Sequence, residues 1–147
     1  MIIGYTTGVF DLFHVGHVRM LKNAKSMCDR LVVGVTTDEL MLEYKKKKTV
    51  IAYSERAEIV RSIREVDAVI PQTSMDKMDA WNRIKFDIMF VGDDWYQTEK
   101  WKKYEEQFKE INVRIVYFPY TQGTSSTLIN QILLGLREEK IRNNTER

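Results

Sequence analysis

Residues 6–17 read TTGVFDLFHVGH, and they lie between a short apolar run and a helical pattern. A strand, a turn that contains glycine and a helix start bring backbone N–H groups to one point, where they can bind an anion. Both histidines of the chain, His14 and His17, fall in this turn. Gly16 between them has no side chain, so the backbone can come close to a ligand. The stretch predicts a nucleotide site, although a strand end and a helix cap would also account for the histidines.

The composition is that of one globular domain. The chain has 147 residues, 44% of them hydrophobic and 30% charged, which is enough for one buried core. Its net charge of +2 is too small to indicate nucleic-acid binding. No apolar run approaches the roughly 18 residues of a membrane helix, and the N-terminus lacks a signal-peptide pattern. We therefore expect a cytoplasmic protein that binds neither membranes nor nucleic acid.

Apolar runs alternate with helical patterns along the chain. This alternation is typical of parallel strands joined by crossover helices. The third strand is expected to stop at Pro71, which has no backbone N–H to donate. We expect an α/β, Rossmann-like, doubly wound parallel sheet of five strands with helices on both faces. A single domain would cover residues 1–137, and residues 138–147 would form a frayed tail.

Charged residues follow the second strand, at the edge where open parallel sheets bind ligands. Lys45 to Lys48 are consecutive, and they either form a solvated loop or supply one or two lysines to a triphosphate. Arg56 lies in the first turn of a helix that Ser54 is expected to cap. It is either a surface ion-pair residue or a bidentate phosphate ligand.

Further candidates follow the fourth and fifth strands. Asp93, Asp94 and Trp95 can bind an amino group of a base, help to hold a metal ion and offer a flat apolar surface. Asp94 can instead cap the next helix. Residues 120–127 are rich in hydroxyl groups and precede the last helix, so they predict a second anion-binding turn. Trp81 is interpreted first as a core residue and second as a stacking platform.

Together these motifs resemble the cytidylyltransferase family of the HxGH nucleotidyltransferase superfamily, most nearly the small glycerol-3-phosphate cytidylyltransferases. The resemblance covers most of the chain. HxGH alone is typical of the whole superfamily, whereas the Gly-Asp-Asp-Trp element at residues 92–95, with the lysine loop, is similar to enzymes of cytidylyl transfer. Further matching motifs are at residues 36–39, 54–56, 66–67 and 123–127.

The resemblance implies that an acceptor phosphate attacks the α-phosphorus of CTP in line, releasing pyrophosphate and leaving a CDP-linked product. The catalytic residues it implies are His14, His17, Lys46 and Arg56, and Mg²⁺ would bridge the phosphates, with Asp11 as a candidate ligand. For the acceptor it implies Lys45, Arg56 and Trp81. A homodimer is expected, with the surface from Trp81 to Trp101 as a possible interface. The nucleotide-binding residues it implies are Thr7, Gly8, Val9, Phe10, Asp11, His14, Gly16, His17, Asp93, Asp94, Trp95, Tyr120, Thr121, Gly123, Thr124, Ser125, Ser126 and Thr127.

The chain departs from the family's final motif, Arg-Thr-Glu-Gly-Ile-Ser-Thr. Tyr120 replaces the Arg, Gln122 the Glu and Thr124 the Ile, so a bidentate phosphate donor is lost. A similar variant is found in cytidylyltransferases of bacterial capsule modification, so the acceptor is glycerol 3-phosphate or another phosphorylated metabolite, such as a phosphorylated amino acid of the phosphoglutamine type. Two alternatives remain open: an adenylyltransferase of the same superfamily, against which the Gly-Asp-Asp-Trp element argues, and a nucleotide-binding protein without catalysis.

Overall fold

The computed structural model of the protein describes residues 1–119 and 126–145. Each strand of the described chain is separated from the next by one or two helices, with two helices between the second and third strands. A short 3-10 turn, Asp93–Trp95, follows the fourth strand. The strands are β1 (Ile3–Gly8), β2 (Arg30–Thr36), β3 (Ala68–Gln72), β4 (Ile88–Gly92) and β5 (Arg114–Phe118), and the helices are α1 (Val15–Lys25), α2 (Asp38–Lys45), α3 (Tyr53–Arg61), α4 (Lys77–Ile84), α5 (Glu99–Glu110) and α6 (Ser126–Thr145).

The five strands form one parallel sheet in the order β3-β2-β1-β4-β5. Thr6 of β1 pairs with Val33 of β2 on one side and with Phe90 of β4 on the other. The order of the strands therefore reverses between β1 and β4, and such a reversal leaves a crevice at the carboxyl ends of the strands. The prediction of a doubly wound parallel sheet is confirmed.

Two apolar clusters cover the two faces of the sheet. Leu31 and Val33 of β2 belong to one cluster, with Leu21 of α1 and Val60 of α3. Val32, which points to the opposite face because strand side chains alternate, belongs to the other cluster, with Trp101 and Phe108 of α5. Helices pack on both faces, as expected.

Two local predictions are wrong. Pro71 lies inside β3 and pairs with Val35; it is tolerated because β3 is an edge strand. Ser54 does not cap α3, whose N-cap residue is Ala52 with no side-chain hydrogen bond. The carboxylate of Asp38 instead accepts a hydrogen bond from the N–H of Tyr53 at 3.0 Å. A residue of α2 therefore provides the partner for a free backbone N–H at the start of α3.

The last helix is longer than the sequence pattern indicates. It continues to Thr145 and so includes most of residues 138–147, the stretch expected to form a frayed tail. The domain boundary at residue 137 stays a prediction. Across residues 1–119 and 126–145, no helix combines the length and the apolar character that membrane crossing requires.

Candidate functional site

The two histidines form the start of α1. His14 is the N-cap residue, with an extended backbone (φ −143°). Its Nδ1 accepts a hydrogen bond from the N–H of Gly16 at 3.0 Å, and its own N–H donates to Nδ1 of His17 at 3.1 Å. The histidines therefore do cap the helix, and the same hydrogen bonds fix how the rings are presented.

These backbone hydrogen bonds select one tautomer for each ring. An Nδ1 that accepts a hydrogen bond carries no proton, so the neutral ring is protonated on Nε2. Burial lowers the pKa of both histidines, and for His17, which also lies beside His14, the pKa falls to about 4. The ring centroids are only 4.0 Å apart. Two neutral imidazoles thus lie side by side at pH 7, each with an Nε2–H donor.

Two aromatic side chains pack against the ring of His17. The ring of Phe13 stacks on His17 at a centroid distance of 5.0 Å, and the ring of Phe10 lies 5.4 Å from the same imidazole. Phe10 is 3% exposed and belongs to the core. The expectation that Phe10 binds nucleotide is therefore corrected for its side chain, which positions His17. A Cβ on Gly8 would lie 2.9 Å from the Phe10 ring, so this packing requires glycine.

Arg56 is a buried structural residue and not a surface one. Its side chain has no exposed surface. The guanidinium donates to the carbonyl oxygens of Val9 (2.6 Å), Thr36 (2.8 Å) and Ile51 (2.8 Å) and to Oδ1 of Asp38 (2.7 Å). Both expectations for Arg56, a surface ion pair and a phosphate ligand, are corrected, because its N–H groups are committed inside the protein. The same geometry leaves no exposed atom for an acceptor or a catalytic contact.

Two aspartates fasten the loop that contains the lysines, residues 46–52. Asp11 accepts hydrogen bonds from the N–H groups of Val50 (2.8 Å) and Ile51 (3.0 Å). Asp38 accepts one from the hydroxyl of Thr49 at 3.1 Å, and the N–H of Tyr53, with Arg56 and Thr49, lowers the pKa of Asp38. The loop is thereby tied to the turn that leads to the histidines.

The metal role expected for Asp11 stays a prediction. Both of its carboxylate oxygens already accept backbone hydrogen bonds. In the part of the chain that the structure describes, no three His, Cys, Asp or Glu residues are grouped so that they could hold a metal ion.

A cavity of about 230 Å³ opens at the carboxyl ends of the strands, beside this turn. Thr7, Gly8, Val9, Lys45 and Trp95 line it, and their role in ligand binding stays a prediction. Trp95 is 41% exposed. The crevice therefore joins the end of β1 to the start of the lysine loop and to the turn after β4.

Other candidates lie apart from the cavity. Trp81 packs into the cluster under α4 and α5, with the ammonium group of Lys85 3.9 Å from its ring centroid, and it is not among the described residues that line the cavity. Trp81 is partly buried against this cluster, and its expected role at the acceptor stays a prediction. Lys46 ends α2 with a left-handed backbone (φ 53°) and is exposed. Asp93 is exposed as well.

Several candidate residues, or their side chains, lie outside the part of the chain that the structure describes. They are Tyr120, Thr121, Gln122, Gly123, Thr124 and Ser125, together with the side chains of Asp94, Ser126 and Thr127. The backbone of Ser126 and Thr127 begins α6. Their assignment to the triphosphate and the base stays a prediction.

Sequence reasoning missed Lys77, Gln72 and Lys100, which also line the cavity. Lys77 is only 6% exposed, and its Nζ donates to the hydroxyl of Thr7 at 3.2 Å. A lysine at a helix start reads as a surface residue, so no local pattern distinguishes it. Its buried position becomes evident only from its hydrogen bond to Thr7, which is 70 residues away in the sequence.

The cytidylyltransferase-like family model matches residues 5–142 of the chain. Glycerol-3-phosphate cytidylyltransferase of Bacillus subtilis is 38% identical over 133 residues, which are 89% of this chain and 96% of that protein. FAD synthase of Thermococcus kodakarensis is 35% identical over 133 residues, 89% of each chain. Among solved structures, the lipopolysaccharide core biosynthesis protein of Thermoplasma volcanium is similar, with a TM-score of 0.68 and 25% identity, over 84% of this chain and 99% of that one.

Proposed function

The chain belongs to the cytidylyltransferase-like family and is a nucleotidyltransferase, and from this premise we propose that it transfers the cytidylyl group of CTP to a small phosphorylated metabolite. Glycerol 3-phosphate is the first candidate acceptor. An oxygen of its phosphate bonds to the α-phosphorus of CTP, the bond from that phosphorus to the β-phosphate oxygen breaks, and pyrophosphate leaves. The product is CDP-linked.

The observation that supports this proposal most is the pair of neutral imidazoles at the start of α1. Each ring has its Nδ1 engaged by a backbone N–H and so presents Nε2–H as a fixed donor. Donors that are already oriented stabilise charge on phosphoryl oxygens without reorganising during the reaction. Phosphoryl transfer needs mainly such positioning and charge stabilisation, which this turn supplies.

We propose Mg²⁺ as the metal. It usually keeps several waters and binds substrate phosphates with one or two carboxylates, and Asp11, in the turn that leads to the histidines, is the candidate carboxylate. When bound, Mg²⁺ neutralises charge on the phosphates. Lys46, on the exposed end of α2, would contact the triphosphate, and Lys45, which lines the cavity, would face the acceptor.

For the nucleotide, we propose that Asp93, Asp94 and Trp95 recognise cytosine and that residues 120–127 bind the triphosphate. The position of Trp95 at the cavity supports the first assignment. A homodimer in the cytoplasm, with no nucleic-acid or membrane partner, completes the proposal.

A second candidate is adenylyl transfer, because FAD synthases are among the similar proteins. Pyrophosphate release separates the two candidates when CTP, ATP, GTP and UTP are each tested with glycerol 3-phosphate, other phosphorylated metabolites including a phosphorylated amino acid, and FMN. We expect turnover with CTP and a small phosphorylated acceptor. Turnover with ATP and FMN alone would replace the base assignment, and tight CTP binding without pyrophosphate release would indicate a protein that binds nucleotide without catalysis.

A further inference from the structure

Gln72 is a buried amide that the chemistry described so far does not use. It is the last residue of β3, is 6% exposed and lines the cavity at the carboxyl ends of the strands. Its backbone carbonyl accepts a hydrogen bond from the N–H of Thr37 at 3.2 Å. The backbone is therefore engaged at the end of the sheet, and the side chain is left to serve the cavity.

One end of the Gln72 amide is held in place by β2. The hydroxyl of Thr36 donates to Oε1 of Gln72 at 2.7 Å, and the two residues are paired in the parallel register of β2 and β3. The same hydroxyl oxygen lies 3.2 Å from the carbonyl oxygen of Gly8. The amide is thus fixed by rigid elements, close to the end of β1.

The other end of the amide has no oxygen partner in the part of the chain that the structure describes. The contact of Nε2 is with the sulfur of Met75, at 3.8 Å. A thioether sulfur is a weak acceptor, whereas an amide nitrogen carries two N–H donors. Burial of such a group without a good partner is unfavourable. A ligand that brings an oxygen to this corner of the cavity would remove the cost.

The surroundings of the amide are mostly apolar. Leu40, Met41 and Met75 line the same cavity. In ligand sites, a few polar groups on an apolar wall set the orientation and the specificity of the ligand. Away from water, a hydrogen bond is stronger and an unpaired polar group is more costly. An isolated amide on this wall therefore suits the selection of one polar group.

The chemistry of an amide indicates which group it would select. Gln72 is uncharged, so it has no charge with which to attract a phosphate. A hydroxyl group can both accept and donate a hydrogen bond. It therefore pairs with this amide whether the nitrogen or the oxygen of the amide faces the ligand. The phosphate of the same ligand would lie elsewhere in the cavity.

We propose that Gln72 is a specificity-determining residue, whose amide binds a hydroxyl group on the carbon chain of the acceptor. The site would select small hydroxylated phosphomonoesters over those with a plain hydrocarbon chain. This inference rests on the proposed function and deepens it, since it names the chemical class of the acceptor. Gln72 contacts the substrate away from the reacting atoms.

The test compares Gln72→Met with Gln107→Met, a matched control at an exposed position of α5. With CTP as donor, kcat/KM is measured for glycerol 3-phosphate and for propyl phosphate, which has the same carbon chain without hydroxyl groups. We expect the wild type and Gln107→Met to prefer glycerol 3-phosphate. In Gln72→Met this preference should fall by about tenfold, the usual effect of losing a hydrogen bond to a buried group.

The ratio of the two acceptors separates specificity from a structural role. If Gln72 only joined β3 to Thr36, its replacement would lower kcat/KM for both acceptors by the same factor and leave their ratio unchanged. Gln72→Ala serves the same comparison if the methionine variant does not fold, because its short side chain leaves room for water at the Thr36 hydroxyl.

A second measurement does not depend on turnover. Trp95 and Trp101 line the cavity, so their fluorescence should report binding of the two phosphate esters in the absence of nucleotide. The wild type and Gln107→Met should bind glycerol 3-phosphate more tightly than propyl phosphate. In Gln72→Met the affinities for the two esters should differ by about tenfold less.

The outcomes separate this inference from the proposed function. If the wild type releases pyrophosphate and its preference for glycerol 3-phosphate is unchanged in Gln72→Met or Gln72→Ala, the inference fails while the proposed function stands. A wild type that uses both esters equally would also overturn it. If no nucleotide is turned over, but tighter binding of glycerol 3-phosphate depends on Gln72, the hydroxyl site stands and the proposed function fails. Equal binding of the two esters by the wild type would overturn the site.

Discussion

Replacement of Arg56 by methionine tests whether this arginine is structural. The variant removes four hydrogen bonds: three to the carbonyl oxygens of Val9, Thr36 and Ile51, and one to Asp38. Breaking a buried pair usually costs about 3 to 5 kcal/mol, and each carbonyl oxygen left without a donor costs about 1 to 3 kcal/mol. The Asp38 side chain is 44% exposed, so water can replace part of its interaction. We therefore expect a loss of about 3 to 5 kcal/mol in the free energy of unfolding.

The assay is equilibrium unfolding in urea, followed by far-UV circular dichroism, for the wild type, Arg56→Met and Arg61→Met. Arg61 lies on the same helix and is exposed, so its replacement should change stability by less than about 0.5 kcal/mol. An arginine whose main task was to bind phosphate would leave stability almost unchanged and raise KM for CTP. A wild-type unfolding midpoint for Arg56→Met would refute the structural assignment.

Three more predictions concern the histidine turn and the sheet. His14→Ala and His17→Ala should each lower kcat by about 100-fold or more with an unchanged circular dichroism spectrum, because each removes an oriented donor; wild-type turnover in either variant would make the turn purely structural. The pKa of His17 is about 4 in the folded state and near 6.5 when unfolded, so the unfolded chain binds more protons between these pH values and stability should fall as pH falls from 6.5 toward 4. In urea titrations, His17→Asn should show a smaller decrease in stability over this range. A decrease equal to that of the wild type would contradict the shifted pKa. Gly34→Ala should lower the free energy of unfolding by about 1 to 3 kcal/mol, since its Cβ would lie 2.5 Å from the hydroxyl oxygen of Tyr5. Gly135→Ala, with no atom within 4 Å of its Cβ, should be neutral or slightly stabilising in the same unfolding assay. Equal stability of the two variants would count against the packing at β1 and β2.

The sheet could be predicted because its signals are local. Residues 31–36 are a continuous β-branched and apolar run, which is typical of a strand buried on both faces, and they form β2. The histidine turn was equally local, since the N–H of Gly16 and of His14 bond to ring nitrogens within three residues. Pro71 was misjudged because its tolerance depends on β3 being an edge strand. That position is a property of the whole sheet.

Arg56 and Lys77 could not be placed because their partners are distant in sequence. Arg56 donates hydrogen bonds to the carbonyl oxygens of Val9 and Thr36, which are 47 and 20 residues away. Every residue has such a carbonyl oxygen, so the sequence does not show which ones accept these bonds. Lys77 depends on Thr7, which is 70 residues away. Charged residues in the first turn of a helix usually lie at the surface, so both were indistinguishable from solvated residues until the fold buried Arg56 inside the protein and placed Lys77 at the cavity.

The proposed reaction places the attack of an acceptor phosphate on the α-phosphorus of CTP beside the two histidines. The most direct test is the fate of label from [α-³²P]CTP and [γ-³²P]CTP, incubated with Mg²⁺ and glycerol 3-phosphate or the acceptor that gives most pyrophosphate. We predict that the α-label appears in a CDP-linked product, that the γ-label appears in pyrophosphate, and that both conversions are lost in His14→Ala. Transfer of the γ-label to the acceptor, or release of the α-label as free CMP with no linked product, would contradict it.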